Sequence, residues 1–133
     1  MPITWRVNGR WVDVVFTDPY TLHEAEAVMK EIYRQPGLAR PLRFLVDVRE
    51  AAVPNTEFVA NAIMFWQLNV AHMWGAKVAI VTGTDRQARM AHISESTAES
   101  RELPFTVEVF DASARGQALQ WLARDDRDTP RQP

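Results

Sequence analysis

Arg43-Phe44-Leu45-Val46-Asp47-Val48 and Lys77-Val78-Ala79-Ile80-Val81-Thr82 decide the fold of this chain. Each is a short run that stays apolar at consecutive positions through its middle, so both faces of the strand are buried. Between them, after a loop containing Pro54, either Asn55 or Thr56 can cap a long helix that runs from Glu57 to Trp74 and stops at Gly75. A strand–helix–strand unit in one sheet crosses over right-handedly and leaves its strands parallel.

The same alternation continues outward. Downstream, Thr84 or Asp85 opens a less apolar helix reaching Ser100, and Pro104 precedes an alternating strand, Thr106 to Phe110. Ser113 is expected to cap a last helix with Ala114, Ala118, Trp121 and Leu122 on one face. Upstream, Ile3–Val7 and Arg10–Phe16 flank Asn8-Gly9, a strong hairpin signal because such turns need positive φ. A loop of those two residues pairs Val7 with Arg10, Arg6 with Trp11, Trp5 with Val12 and Ile3 with Val14. Ile3, Trp5, Val7, Val12, Val14 and Phe16 then face the core, and Trp11 lies opposite Arg6 on the other side as a cation–π pair.

After Asp18-Pro19, Thr21 and Glu24 have the spacing of a capping box for a helix running to about Arg34. Its apolar side is Leu22, Ala25, Val28, Met29 and Ile32, and Gln35-Pro36-Gly37 ends it. The expected architecture is an α/β domain. Its mixed sheet has about five strands, an N-terminal antiparallel hairpin followed by parallel strands, with about four helices. Residues 1–123 form this single domain, and the polar stretch 124–133 reads as a disordered tail.

Three stretches carry a family resemblance: Leu45-Val46-Asp47-Val48; Lys77 to Gly83; and Val109-Phe110 followed by Ala118-Leu119-Gln120-Trp121-Leu122. In this order they resemble the STAS fold of anti-sigma factor antagonists. The likeness is greatest to the small STAS-like proteins grouped with the sporulation anti-anti-sigma factor and the SEC14 lipid-binding fold. It covers roughly residues 3–123. The resemblance implies a regulatory or interaction module rather than an enzyme. Anti-anti-sigma factors place Asp-Ser-Ser-Gly, with its second Ser phosphorylated, at the entry to the helix after the central strand. Counted from Val46-Asp47-Val48, that segment falls on Asn55-Thr56-Glu57-Phe58, so Glu57 takes the phosphorylated position with Thr56 before it. Thr56 reads first as a helix cap and second as a phosphoacceptor; a Glu at position 57 favours the helix dipole permanently.

Composition narrows the chemistry. The 133 residues contain no cysteine, which excludes disulfides, thiolate metal sites and a cysteine nucleophile, and suits a cytoplasmic chain. A net charge of −2, with basic and acidic residues interspersed, gives no electrostatic case for nucleic acid. Phe58 to Ala76 holds no Asp, Glu, Lys or Arg, but Asn61, Gln67, Asn69 and His72 interrupt it, so no membrane span is expected. His23, His72 and His92 lack metal-ligand spacing, and no cofactor or metal is expected. Gly83-Thr84 lacks the further glycines and the lysine of a phosphate loop. Asp47, at the C-terminal end of a central strand, and His72 or His92 are what remains for an enzyme of unknown reaction.

One feature stands out. On a helical wheel, Val59, Ile63, Trp66, Val70 and Met73 form the buried side of the Glu57–Trp74 helix, yet the outward side is uncharged: Asn61, Met64, Phe65, Leu68 and His72. Such a strip is covered by the chain itself, by a partner such as a second copy, or by a small apolar ligand oriented by Asn61 and His72. The expected function is a protein–protein interaction module, homodimeric in its simplest form, with binding of a small apolar or lipid-like ligand as the alternative.

Overall fold

The computed structural model describes residues 2–124. The tail expected at 124–133 lies, apart from Arg124, outside the described residues. Two strands come first, β1 (Ile3–Asn8) and β2 (Trp11–Thr17), then α1 (Leu22–Tyr33) and β3 (Arg43–Glu50). Two helices, α2 (Thr56–Leu68) and α3 (Val70–Met73), lead to β4 (Lys77–Thr82) and α4 (Asp85–Ser100). After β5 (Thr106–Asp111), a 3-10 turn (Ala112–Ala114) runs into α5 (Arg115–Ala123).

The strands lie side by side in chain order, β1-β2-β3-β4-β5, with β1 antiparallel to β2 and every other pair parallel. That order has a consequence for the layers. Right-handed crossovers that always step to the next strand in one direction must put their helices on the same face. The α1, α2 and α4 helices accordingly share one face, packed on Val12, Val14, Phe44, Val78 and Val107. Only α5, which follows the last strand, reaches the other face, where Ala118, Trp121 and Leu122 cover Leu45, Ala79 and Val81.

Two buried cations fasten α5. Arg43 donates from Nη1 to the carbonyls of Leu122 and Arg124, and Lys77 Nζ donates to those of Trp121 at 3.0 Å and Arg124 at 2.8 Å. The Lys77 ammonium also sits 5.2 Å from the centre of the Trp121 ring. Arg43 and Lys77 are register partners on neighbouring strands, so one pair of adjacent positions grips the carbonyl end of the helix, where its dipole is negative.

Several expectations are corrected. The hairpin loop is Gly9-Arg10, with Gly9 at φ 64° and Asn8 already paired with Trp11. Trp5 therefore meets Val14 rather than Val12, and Ile3 meets Phe16. The slip is two residues, an even number, so the faces keep their identity: Ile3, Val12 and Val14 are buried, while Val7 near the turn is exposed. Arg6 lies opposite Asp13, not Trp11, and pairs with it at 3.6 Å, while the Trp11 indole donates to Asp13 at 2.8 Å. The anticipated cation–π pair is replaced by a carboxylate-centred cluster.

The long helix expected from Glu57 to Trp74 is two helices. At Asn69 the side chain donates to the Phe65 carbonyl at 2.9 Å, competing with the backbone ladder, and φ and ψ leave the helical region. Gly75 ends α3 as expected, at φ 72°, where an added Cβ would press on Pro41 at 3.1 Å. Ser113 does not cap α5: it sits in the 3-10 turn, bonded to Asp111, and α5 has no side-chain cap. The Thr21–Glu24 capping box forms as its spacing predicts, with bonds of 3.1 and 2.9 Å.

Candidate functional site

Between the sheet and the three helices on its larger face lies a cavity of about 160 Å³, partly open to solvent and almost wholly apolar. Its floor is the alternating row of strand residues that points to this face: Val14 and Phe16 of β2, Phe44, Val46 and Val48 of β3, and Val78 and Ile80 of β4. Its walls are Leu22, Ala25, Glu26 and Met29 of α1, and Phe58, Val59, Ala62, Phe65 and Trp66 of α2. Gln87, Met90, Ala91 and Ser94 of α4 complete them. Each helix thus contributes one inward stripe, and small side chains at Ala25, Ala62 and Ala91 leave the space between stripes unfilled.

Aromatic rings close one end, beside the C-terminal ends of β2 and β3. Tyr20 packs edge-on against Phe16 at 5.1 Å and against Phe58 at 5.6 Å. Its hydroxyl donates to the Ala52 carbonyl at 3.3 Å, and the Ala52 amide donates to Asp18 at 2.7 Å. Burial, reinforced by the nearby Asp18 charge, raises the pKa of the Tyr20 phenol, which keeps it a neutral donor.

Gln87 is the buried polar residue of the wall. Its Oε1 accepts from the Gly83 amide at 2.7 Å, and its Nε2 faces the carbonyls of Val48 at 2.9 Å, Ala51 at 3.0 Å and Arg49 at 3.2 Å. One side chain therefore ties the loop after β3 to the loop after β4. The Gly83 amide, which a phosphate-cradling turn would leave open, is already bonded, and Thr84 caps α4 through the Gln87 amide at 3.1 Å.

The outward strip read from the helical wheel divides. Phe65 is a correction: it is 8% exposed, lines the cavity, and has the Lys30 ammonium 5.9 Å from its ring centre. The wheel treats a helix as having one covered side, but α2 packs against both α1 and α4 and is covered on three. Met64 and Leu68 do face solvent, 55% and 80% exposed. Asn61 is half-buried, and exposed His72 stacks flat on the Tyr33 ring at 4.6 Å. None of these four lines the cavity.

At the entry to α2, Asn55 is the cap, accepting from the Phe58 amide at 2.7 Å; Thr56 and Glu57 are exposed first-turn residues. The cap role expected first of Thr56 thus belongs to its neighbour. Asp47 is on the opposite side of the sheet, in a polar depression with Thr4, Arg6, Asp13 and Arg115. Burial there acts to raise its pKa, but three short contacts from the Arg49 guanidinium, at 2.7–3.1 Å, and one from the Arg49 amide outweigh it and hold the pKa below the usual value. His92 is exposed on α4 and bonds Glu95 at 3.1 Å. Asp47, Glu57 and His72 thus share neither cavity nor depression, and among the described residues no group of three metal-ligating side chains is present.

Comparison with known proteins gives the identity of the fold. The chain matches the model of the SpoIIAA-like family over residues 11–123, and it belongs to that family. The match spans β2 to the end of α5, including every wall of the cavity. No curated protein and no solved structure matches the chain. Among the described residues no helix is long and apolar enough to cross a membrane.

Proposed function

We propose that this SpoIIAA-like domain binds a small apolar ligand in the cavity between its sheet and the α1, α2 and α4 helices, and that occupancy of the cavity is what the module communicates. The cavity itself carries the reading. Protein interiors are close-packed, and a sealed void of about 160 Å³ would cost about 4 kcal/mol at roughly 24 cal/mol per Å³. That is an upper figure for a partly open cavity, yet it is a large share of the 5–15 kcal/mol that stabilises a typical domain. A bound apolar molecule recovers the lost contacts. Apolar pockets with a few converging polar groups are also where small ligands bind in general.

Perturbation of methyl groups by a small neutral probe tests this. Titration with benzene or 1-hexanol is expected to shift the NMR signals of Val46, Val48, Val78 and Ile80, which floor the cavity, and not those of Leu45 and Val81 on the other face. Ala62→Phe, which fills the space from α2, is expected to abolish the shifts while leaving circular dichroism unchanged. Absence of shifts in the wild type, or shifts on both faces alike, would sink the proposal.

A second reading has its own observation. Met64 and Leu68, one helical turn apart on α2, place large apolar side chains in water, and a second copy of the chain is the partner that symmetry favours. Two side chains are a small part of the roughly 800 Å² per partner of a standard interface, which puts this reading behind the first.

A further inference from the structure

We infer that the cavity selects ligands whose polar head donates hydrogen bonds, an ammonium above all, and turns away carboxylates, with Glu26 as the residue that decides. The inference rests on the proposed ligand-binding reading and adds the chemical class of the ligand to it.

Glu26 is the one charged residue among the lining side chains, which include no Lys, Arg or His. Its position is anomalous for a surface carboxylate. Leu22, Ala25, Glu26 and Met29 follow the spacing i, i+3, i+4, i+7, the inward stripe of α1, so a glutamate occupies a place that burial would give to an apolar residue. No hydrogen bond or ion pair joins it to any described residue. Lys30, one turn on and suited by spacing to pair with it, instead lies over the Phe65 ring.

The other polar liners are largely committed. Gln87 is committed to backbone groups of both loops and the Tyr20 hydroxyl to Ala52, which leaves Ser94 and Glu26 as the lining residues whose polar groups are not so committed. Beside an otherwise apolar lining, a carboxylate head would face a like charge with no cation among the lining residues to offset it. An ammonium head would gain a charge-assisted hydrogen bond, and a hydroxyl head a weaker one. Size adds a limit: cavities of about 150 Å³ hold benzene-sized molecules, so the buried part of the ligand is on the order of six carbons.

The test uses three molecules of one chain length, hexylammonium, 1-hexanol and hexanoate, titrated at neutral pH against the same floor methyls. The expected order of affinity is ammonium, alcohol, carboxylate, with at least about tenfold between the first and last. Glu26→Gln is expected to remove the preference between the two ions. Hexanoate binding as tightly as hexylammonium, or a preference that survives Glu26→Gln, overturns the inference while leaving the cavity a ligand site. If none of the three binds the wild type, both the inference and the ligand reading fall.

Discussion

Replacing Gln87 with Leu is the sharpest test of how the two loops beside the cavity are held. The substitution keeps much of the side-chain volume and deletes the amide. Gln87 is 6% exposed, accepts from the Gly83 amide, and directs two N–H bonds toward the carbonyls of Val48, Arg49 and Ala51. Two protons cannot satisfy three carbonyls separately, so the side chain makes three full bonds at most, one accepted and two donated. At about 1 kcal/mol net for each, the loss comes to about 3 kcal/mol. Gly83 is exposed, so water can replace its partner, whereas the bond to Ala51 is buried and its carbonyl is left unsatisfied. The expected result in urea unfolding is a lower midpoint at unchanged m-value, equivalent to about 3 kcal/mol, and a Tm about 10 °C lower. Gln87→Glu should be worse at neutral pH, since a carboxylate would face the same carbonyls without a proton to give. A Gln87→Leu loss under about 1 kcal/mol would refute the idea that this side chain fastens the loops.

Two further outcomes are expected. Burial, only partly opposed by the positive charge of Arg40, pushes the Tyr33 phenol well above its ordinary value near 10, and its hydroxyl is buried without a hydrogen-bond partner among the described residues. The folded protein then keeps a proton that the unfolded chain releases above about pH 10, so stability should fall as pH rises past that point, by up to about 1.4 kcal/mol per unit. Tyr33→Phe should remove this alkaline slope and add about 1 kcal/mol at neutral pH in denaturant titrations; a loss of stability instead would show that the hydroxyl is satisfied. Leu68→Asp changes a side chain 80% exposed and should alter stability by less than about 0.5 kcal/mol. If the strip pairs two copies, the same change should halve the mass seen by light scattering; a monomeric wild type would eliminate that reading.

Much of this fold was legible because the signals were local. The apolar runs at Phe44 to Val46 and Val78 to Val81, the Thr21–Glu24 spacing and Gly75 each dictate structure through their own backbone neighbourhood. The hairpin shows the limit of that locality: Asn8-Gly9 and Gly9-Arg10 are both plausible loops, and alternation alone cannot separate registers two residues apart because every side chain keeps its face. Asn69 was legible in principle, as a short amide within a helical run, but its competition with the ladder is decided by geometry. The cavity was not foreseen, because it belongs to three helices at once. Phe65 looks outward when α2 is drawn alone and is covered once α1 and α4 flank it. A signal did exist in the stripes themselves: Glu26 falls among Leu22, Ala25 and Met29, and Gln87 and Ser94 among Met90 and Ala91, where a packed core favours apolar side chains. The grip of Arg43 and Lys77 on α5 was hidden for a similar reason, since their partners are carbonyls far along the chain.

The sequential strand order bears on how the molecule is made. As the ribosome delivers β2, β3 and β4, each crossover can settle on the same side, and that layer can assemble stepwise. Leu45, Ala79 and Val81 have no cover until α5 emerges, so the nascent domain carries a greasy back for most of its synthesis. A holding chaperone would find its footing there, and a premature stop before Trp121 would leave that surface bare for good.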